Sequence, residues 1–374
     1  MLWEVVKGIL LGTFTGITPG VHVNTIVAAL ENDALNPLTL FSMGLTHTYL
    51  DAFPSTFLGV PDEGTALGVL PAHRLVLKGR GMEVIRIALY SSFLATAFFI
   101  PLIPVYLLIS PHYNYRIGRF AIVLLLIFLV LTEKGAKRVA ALFIILLSGT
   151  VGWIVLNMQI NQPMYHLLTG LFGVPVLGMA IFSGSGRVSP GRARLKISRG
   201  EFVLFSFIGT LLGMGASLIP AFTSSQAALI GSFFSKEERS FLTVVYSVNT
   251  SNFLFSLLNF LENGRARNGV VMKMPALGLS SLLPFVLVSL FVGLSVLIYG
   301  EKLSFLLASF ISMIPYRLMN AIVLLALVVL SFRFDGSVGV LALLASSIVG
   351  FLAVIAGVKR TNCMGALMVP ILLG

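Results

Sequence analysis

One cysteine, Cys363, stands in a chain of 374 residues, so no internal disulfide and no cysteine-built metal cluster can form. Charge is nearly as scarce. Asp, Glu, Lys and Arg together make 10% of the residues, where soluble globular domains carry about 25%. No stretch alternates apolar and polar residues at the period of two that a lipid-facing barrel strand requires, which excludes an outer-membrane barrel. The phosphate-cradling pattern GxxxxGKS/T is missing, and with it an ATP-driven machine. No apolar helix carries a DxxxD pair, and the adjacent carboxylates Asp62-Glu63 and Glu237-Glu238 stand isolated at expected loop ends. Those absences argue against an enzyme working through clustered carboxylates, and no metal-ligand set is read from the sequence. A short signal peptide is lacking too. Glu4 and Lys7 lead into an apolar run without a small-residue cleavage site, so the first helix is expected to be retained.

What fills the chain instead is apolar sequence. Hydrophobic residues make 57% of it, in runs long enough to meet the roughly 20 residues a helix needs to span a bilayer. "MEVIRIALYSSFLATAFFIPLIPVYLLI" (82–109), "AALFIILLSGTVGWIVLNM" (140–158), "ALGLSSLLPFVLVSLFVGLSVLIYG" (276–300) and "GSVGVLALLASSIVGFLAVIAGV" (336–358) are the clearest. The fold class is an all-α polytopic membrane protein in the cell membrane, with lipid as its surroundings. The net charge of +11 then reads as basic loops holding the cytoplasmic side rather than as a nucleic-acid surface. The densest such loop is "GRVSPGRARLKISRG" (186–200).

The chain resembles itself at a distance of about 200 residues. "YRIGRFAIVLLLIFLVL" (115–131) recurs as "YRLMNAIVLLALVVL" (316–330), "GTFTG" (12–16) as "GTLLG" (209–213), and "GLFGVPVLG" (170–178) as "GALMVPILLG" (365–374). Three collinear pairs predict a membrane repeat over 1–182, a basic cytoplasmic linker over 183–200 and a second repeat over 201–374. Membrane repeats of this kind recur in secondary transporters, with the substrate between the halves. Short broken segments favour the inverted arrangement, while the parity of the span count stays open.

The first such segment is "GILLGTFTGITPG" (8–20), where Gly8, Gly12, Gly16 and Gly20 fall on one helical face. Residues 5–18 make roughly 21 Å of helix and residues 19–30 roughly 18 Å, both short of a hydrocarbon core of roughly 30 Å. The pair reads as a re-entrant hairpin whose glycines admit a close neighbour. They could equally serve helix packing alone. Thr18 is expected to cap the returning half-helix and Pro19 to open it, leaving N–H groups free for an anion. In the second half Thr223, Ser224, Ser225 and Gln226 offer a capping-box pattern at the corresponding place. The expected substrate-binding set is therefore Thr18, Gly20, His22, Asn24, Thr25, Thr223, Ser224, Ser225 and Gln226.

Two further helices carry polar residues where lipid should surround them. "MGLTHTYLDAFPSTFLGVP" (43–61) holds Thr46, His47, Thr48 and Asp51, and "YSVNTSNFLFSLLNFLENG" (246–264) holds Asn249, Thr250, Ser251 and Asn252. An intramembrane carboxylate is costly and points to function. Asp51, Thr48, Asn249, Thr250 and Asn252 form the expected ion-coupling set, with Na+ or H+ as the ion; a structural partnership among them would leave the same pattern.

The stretch "GTFTGITPG…NPLTLF…STFLGVPDEGTALGVLPAHRLVLKGRG" resembles the large membrane subunit of the tripartite tricarboxylate transporters, the TctA family. The features that carry the likeness are Gly12, Gly16, Pro19-Gly20, Pro37-Leu38-Thr39, Pro61-Asp62-Glu63 and Lys78-Gly79-Arg80-Gly81, with "MVPILLG" at the end. Where the family follows Pro-Gly with small residues, this chain has Val21, His22, Val23 and Asn24. The resemblance implies ion-coupled transport of a small organic, carboxylate-type anion, in company with an extracytoplasmic binding protein and a small membrane subunit. Half-helix ends would also serve a flippase or exporter of a lipid-linked or phosphorylated anion, or a passive channel, and a homo-oligomer is left open.

Overall fold

The computed structural model describes residues 2–373 apart from 24–26, 28–34, 63, 113–114, 184–190, 192–193, 219–223, 236 and 266–267. No strand occurs among the described residues. In the first half the helices are α1 (Leu2–Ile17), α2 (Pro37–Leu50), α3 (Val69–Leu77), α4 (Gly81–Ile109), α5 (Tyr115–Leu131), α6 (Lys137–Asn157), α7 (Pro163–Leu168) and α8 (Val174–Ser183). In the second they are α9 (Arg199–Leu218), α10 (Ser224–Gly231), α11 (Glu238–Asn263), α12 (Gly269–Met272), α13 (Leu282–Ile311), α14 (Tyr316–Ile355) and α15 (Gly365–Leu373). Seven helical stretches among the described residues are long and apolar enough to cross a membrane. The chain is a multi-pass, all-α membrane protein.

The glycine ladder works by contact with backbone. A Cβ on Gly8 would lie 2.6 Å from Ser42 Cβ, one on Gly12 2.6 Å from Thr46 Cβ, and one on Gly16 2.8 Å from Leu50 Cβ. The contacts advance in step along both helices, so α1 and α2 run parallel. Ile17, at the end of α1, and Pro37, at the start of α2, therefore lie at opposite ends of the pair. The same device recurs in α9, where Gly209 meets Ser247 and Gly213 meets Val248 and Ser251 on α11. Those two helices are parallel as well, with α10 between them in the chain.

Between α2 and α11 the order reverses. Gly44 packs on Phe253, Thr48 pairs with Thr250 and Asp51 with Asn249, so the two central helices are antiparallel. At the other end of the molecule the halves exchange contacts. Gly365 on α15 packs against the Ile145 carbonyl and Ser148 of α6, and Gly170, in the π turn after α7, packs against the Leu343 carbonyl and Ser346 of α14.

Two acidic turns follow the same exchange. Glu133, after α5, accepts from the Lys359 N–H at 2.8 Å and from Asn362 Nδ2 at 3.0 Å. Asp335 accepts from the N–H groups of Asn161 and Gln162, at 2.5 and 3.0 Å, and lies 2.8 Å from His166 Nε2. Each acid thus caps a chain segment of the other half, where unpaired N–H groups are exposed at a helix start. Asp335 and Gly336, whose φ is +60°, break α14 into two arms. The bend brings Gly339 against the Ser331 carbonyl, where a Cβ would lie 2.7 Å away; a straight helix would hold the two about 12 Å apart. Asp335→Ala leaves two N–H groups and a buried imidazole without their acceptor. It should lower stability by about 3 kcal/mol or more, read as a reduced melting temperature in detergent. An unchanged melting temperature would show the bend to be held by packing alone.

Candidate functional site

The polar residues of α2 and α11 meet where the two helices cross. Asn249 Nδ2 donates to Asp51 Oδ2 at 2.6 Å, and the Thr250 hydroxyl donates to Thr48 Oγ1 at 3.3 Å. Asn252 Nδ2 donates to Ser224 Oγ at 2.9 Å, tying α11 to the start of α10. Asp51 is 1% exposed, and its Oδ1 has no hydrogen-bond partner among the described residues. A carboxylate oxygen buried without a donor is costly. Thr48, Asp51, Ser224, Asn249 and Asn252 line a cavity of about 80 Å3, together with Phe253, Asn268 and Val270 from the second half and His22, Val23, Gly44, His47 and Asp62 from the first.

Asp62 reaches this cavity by a local reversal. The stretch after α2 closes in a π turn over Pro54–Leu58, and Gly59, with φ +66°, ends it. Pro61 wedges against Gly173, and the carboxylate of Asp62 is returned to the level of His47. Its Oδ1 lies 3.2 Å from His22 Nε2 and its Oδ2 3.3 Å from His47 Nε2. On its far side His47 Nδ1 lies 3.1 Å from Thr15 Oγ1. His22 and Asp62 also line a second cavity of about 210 Å3, whose other wall is Gly20, Asn161–Tyr165, Leu168 and Thr169. The His22–His47–Asp62 cluster stands between the two.

Several expected residues converge here and others do not. His22 and Ser224 share the first cavity with Thr48, Asp51, Asn249 and Asn252, so residues expected to bind substrate and residues expected to bind ion line the same space. Thr250 stands behind Thr48 as its donor. Gly20, at φ +77°, lines the second cavity instead, beside Tyr165. Ser225 and Gln226 are buried and lie off both cavities. Asn24, Thr25 and Thr223 lie outside the described residues. Thr18 differs from expectation: its N–H and its hydroxyl both turn back to the Phe14 carbonyl, at 3.1 and 2.6 Å, finishing α1 rather than capping a new helix. Pro19 and Gly20 form a turn, not a helix start. Asp62, set aside in sequence as half of a loop-end acidic pair, is the residue that reading missed.

Residues 2–365 match the model of the tripartite tricarboxylate transporter TctA family, essentially the whole chain. The chain belongs to that family. The TctA proteins are transporter components, which accords with a buried polar cavity between apolar helices. A relative is the uncharacterized protein MJ1079 of Methanocaldococcus jannaschii, 29% identical over 392 residues, covering 100% of this chain and 98% of the relative. No solved structure matches.

Proposed function

We propose that this TctA-family chain is the transport subunit of an ion-coupled uptake system for a small carboxylate-type anion. It would work in the cytoplasmic membrane with a small membrane subunit and an extracytoplasmic binding protein. The observation that carries the proposal is the cavity shared by α2 and α11, polar on both sides and closed by Asp51–Asn249 and Thr48–Thr250. Hydroxyl, amide and imidazole donors around it suit carboxylate oxygens, while the unpaired Asp51 oxygen suits the coupling Na+ or H+.

We further infer that residues 1–182 and 201–374 are inverted repeats joined by the linker 183–200. The parallel α1–α2 and α9–α11 pairs support that reading, as does the antiparallel crossing of α2 with α11. Reciprocal contacts at Gly365 and Gly170, and at Glu133 and Asp335, are what a pseudo-two-fold axis produces, since residue i then meets j as j meets i. An axis relating antiparallel helices lies in the membrane plane, the arrangement that gives alternating access around a fixed site.

The cavity wall offers a direct test. With Cys363 replaced by Ser, Ser224→Cys should react with a small aqueous thiol reagent. A transported carboxylate at ten times its Kd should slow that reaction roughly tenfold. Ser225→Cys, buried off the cavity, should stay inert. Labelling of Ser224→Cys that no mono-, di- or tricarboxylate slows would remove this cavity as the anion site. In proteoliposomes, uptake that persists after an ionophore collapses the ion gradient would remove the coupling.

A further inference from the structure

We propose that His22, His47 and Asp62 form a binding site for one late first-row divalent transition-metal ion, of the Zn2+ or Co2+ kind. The three residues come from separate chain segments: the turn after α1, the last turn of α2, and the loop following the π turn. One ligand atom from each falls within 4.8 Å of the others. Bonds of about 2.0–2.2 Å from zinc to imidazole nitrogen and carboxylate oxygen place tetrahedral ligand atoms about 3.3–3.4 Å apart. The two nitrogen-to-oxygen separations here, 3.2 Å to Oδ1 and 3.3 Å to Oδ2, are of that order, and with the whole set inside 4.8 Å a small side-chain adjustment brings three ligand atoms onto one ion. Two imidazoles and a carboxylate are a donor set for such metals, and are poorly matched to Mg2+ or Ca2+, which prefer oxygen alone.

His47 also has the second contact that a metal-binding imidazole needs. Its Nδ1 lies 3.1 Å from Thr15 Oγ1, and that oxygen lies 3.2 Å from the Gly12 carbonyl. With the Thr15 proton on the Gly12 carbonyl, Nδ1–H donates to Thr15 and Nε2 presents its lone pair on the Asp62 side. Metal-binding histidines are oriented in this way, the remote ring N–H held by a hydrogen bond while the other nitrogen takes the metal.

Access is provided as well. His47 is buried, whereas His22 and Asp62 keep 27% and 17% of their side-chain surface and open to both cavities. Three protein ligands leave at least one coordination position to water or to an anion oxygen, as in open zinc sites. The proposal does not depend on the transport reading, because the metal alone is the probe.

Full-length, tag-free protein in detergent, stripped with chelator, would be titrated with Co2+ and followed by visible absorption. Wild type should take up one equivalent with d–d bands of low-symmetry coordination, and Zn2+ should displace it. Asp62→Asn and His22→Ala should each weaken binding at least tenfold, since even outer-shell changes cost 10–100-fold. His22→Cys in a Cys363→Ser chain keeps three ligands and should add a sulfur-to-cobalt charge-transfer band, which no merely structural role of His22 can generate. Absence of stoichiometric Co2+ binding in folded wild type would overturn the site. Binding that survives His22→Ala, with no charge-transfer band in His22→Cys, would overturn it equally.

Discussion

Gly213→Ala should abolish accumulation of folded protein, while Gly215→Ala, two residues along the same helix, should be tolerated or stabilising. A methyl group on Gly213 runs into Ser251 Oγ, and into the Val248 carbonyl and Asn252 N–H at 2.7 and 2.9 Å. Two of these obstacles are backbone, so a rotamer change cannot relieve them. Overpacking costs about 1–3 kcal/mol where side chains can yield, and more is expected where α9 must separate from α11. Nothing lies within 4 Å of a Cβ on Gly215, where alanine gains the roughly 1 kcal/mol that glycine forfeits in a helix. Gly12→Ala should behave like Gly213→Ala, because Thr46 and the Met43 backbone fill the corresponding space. Size-exclusion profiles and melting temperatures in detergent provide the measurement. Equal behaviour of Gly213→Ala and Gly215→Ala would dispose of close approach as the reason for the ladder.

Asp51→Asn should leave the fold intact and remove ion dependence, with uptake at least tenfold lower. The substitution preserves shape and removes the titratable carboxyl group whose Oδ1 lacks a partner and whose Oδ2 accepts from Asn249. A hydrogen bond to a charged group contributes about 1.5–3 kcal/mol, roughly 10- to 100-fold in an equilibrium. Asn249→Asp combined with Asp51→Asn restores one acid and one amide across the same crossing. It should recover folding stability more fully than function, since the charge then sits on α11. Counterflow in proteoliposomes with and without an imposed Na+ or H+ gradient reads the effect. Wild-type rates with unchanged ion dependence would assign Asp51 to structure.

The helical membrane class was legible from long apolar runs, and the close approach at Gly8, Gly12 and Gly16 from spacing alone, because both depend on short-range periodicity. The polar pairs were legible as residue types but not as partners. Asp51 finds Asn249 across 198 positions only once α2 and α11 cross. Asp62 was hidden for a related reason: a positive-φ glycine and a π turn decide that it returns to His47, and neither leaves a periodic trace. Thr18 carried a true signal with two meanings. Threonine before proline suits a cap at the start of a helix, yet its hydroxyl bonds equally well to a carbonyl one turn back. The bend at Asp335 falls in the interval between the apolar runs 316–330 and 336–358, but its sharpness rests on the positive φ of Gly336, which spacing does not record.

The exchange of contacts between α6 and α15 also governs when the protein can finish folding. Gly149 and Gly152 of α6 are shaped to fit Val369 and Ala366, and Glu133 waits for the Lys359 N–H. During synthesis, which delivers the N-terminal part first, α6 enters the bilayer more than two hundred residues before its packing partner exists. Its glycine face must meanwhile rest against lipid or the insertion machinery. A ribosome stalled before residue 359 should therefore hold a chain whose first half is inserted while cysteines placed at Gly149 and Gly152 still react with a lipid-soluble thiol reagent. Protection of those two positions should arrive only with the final helix.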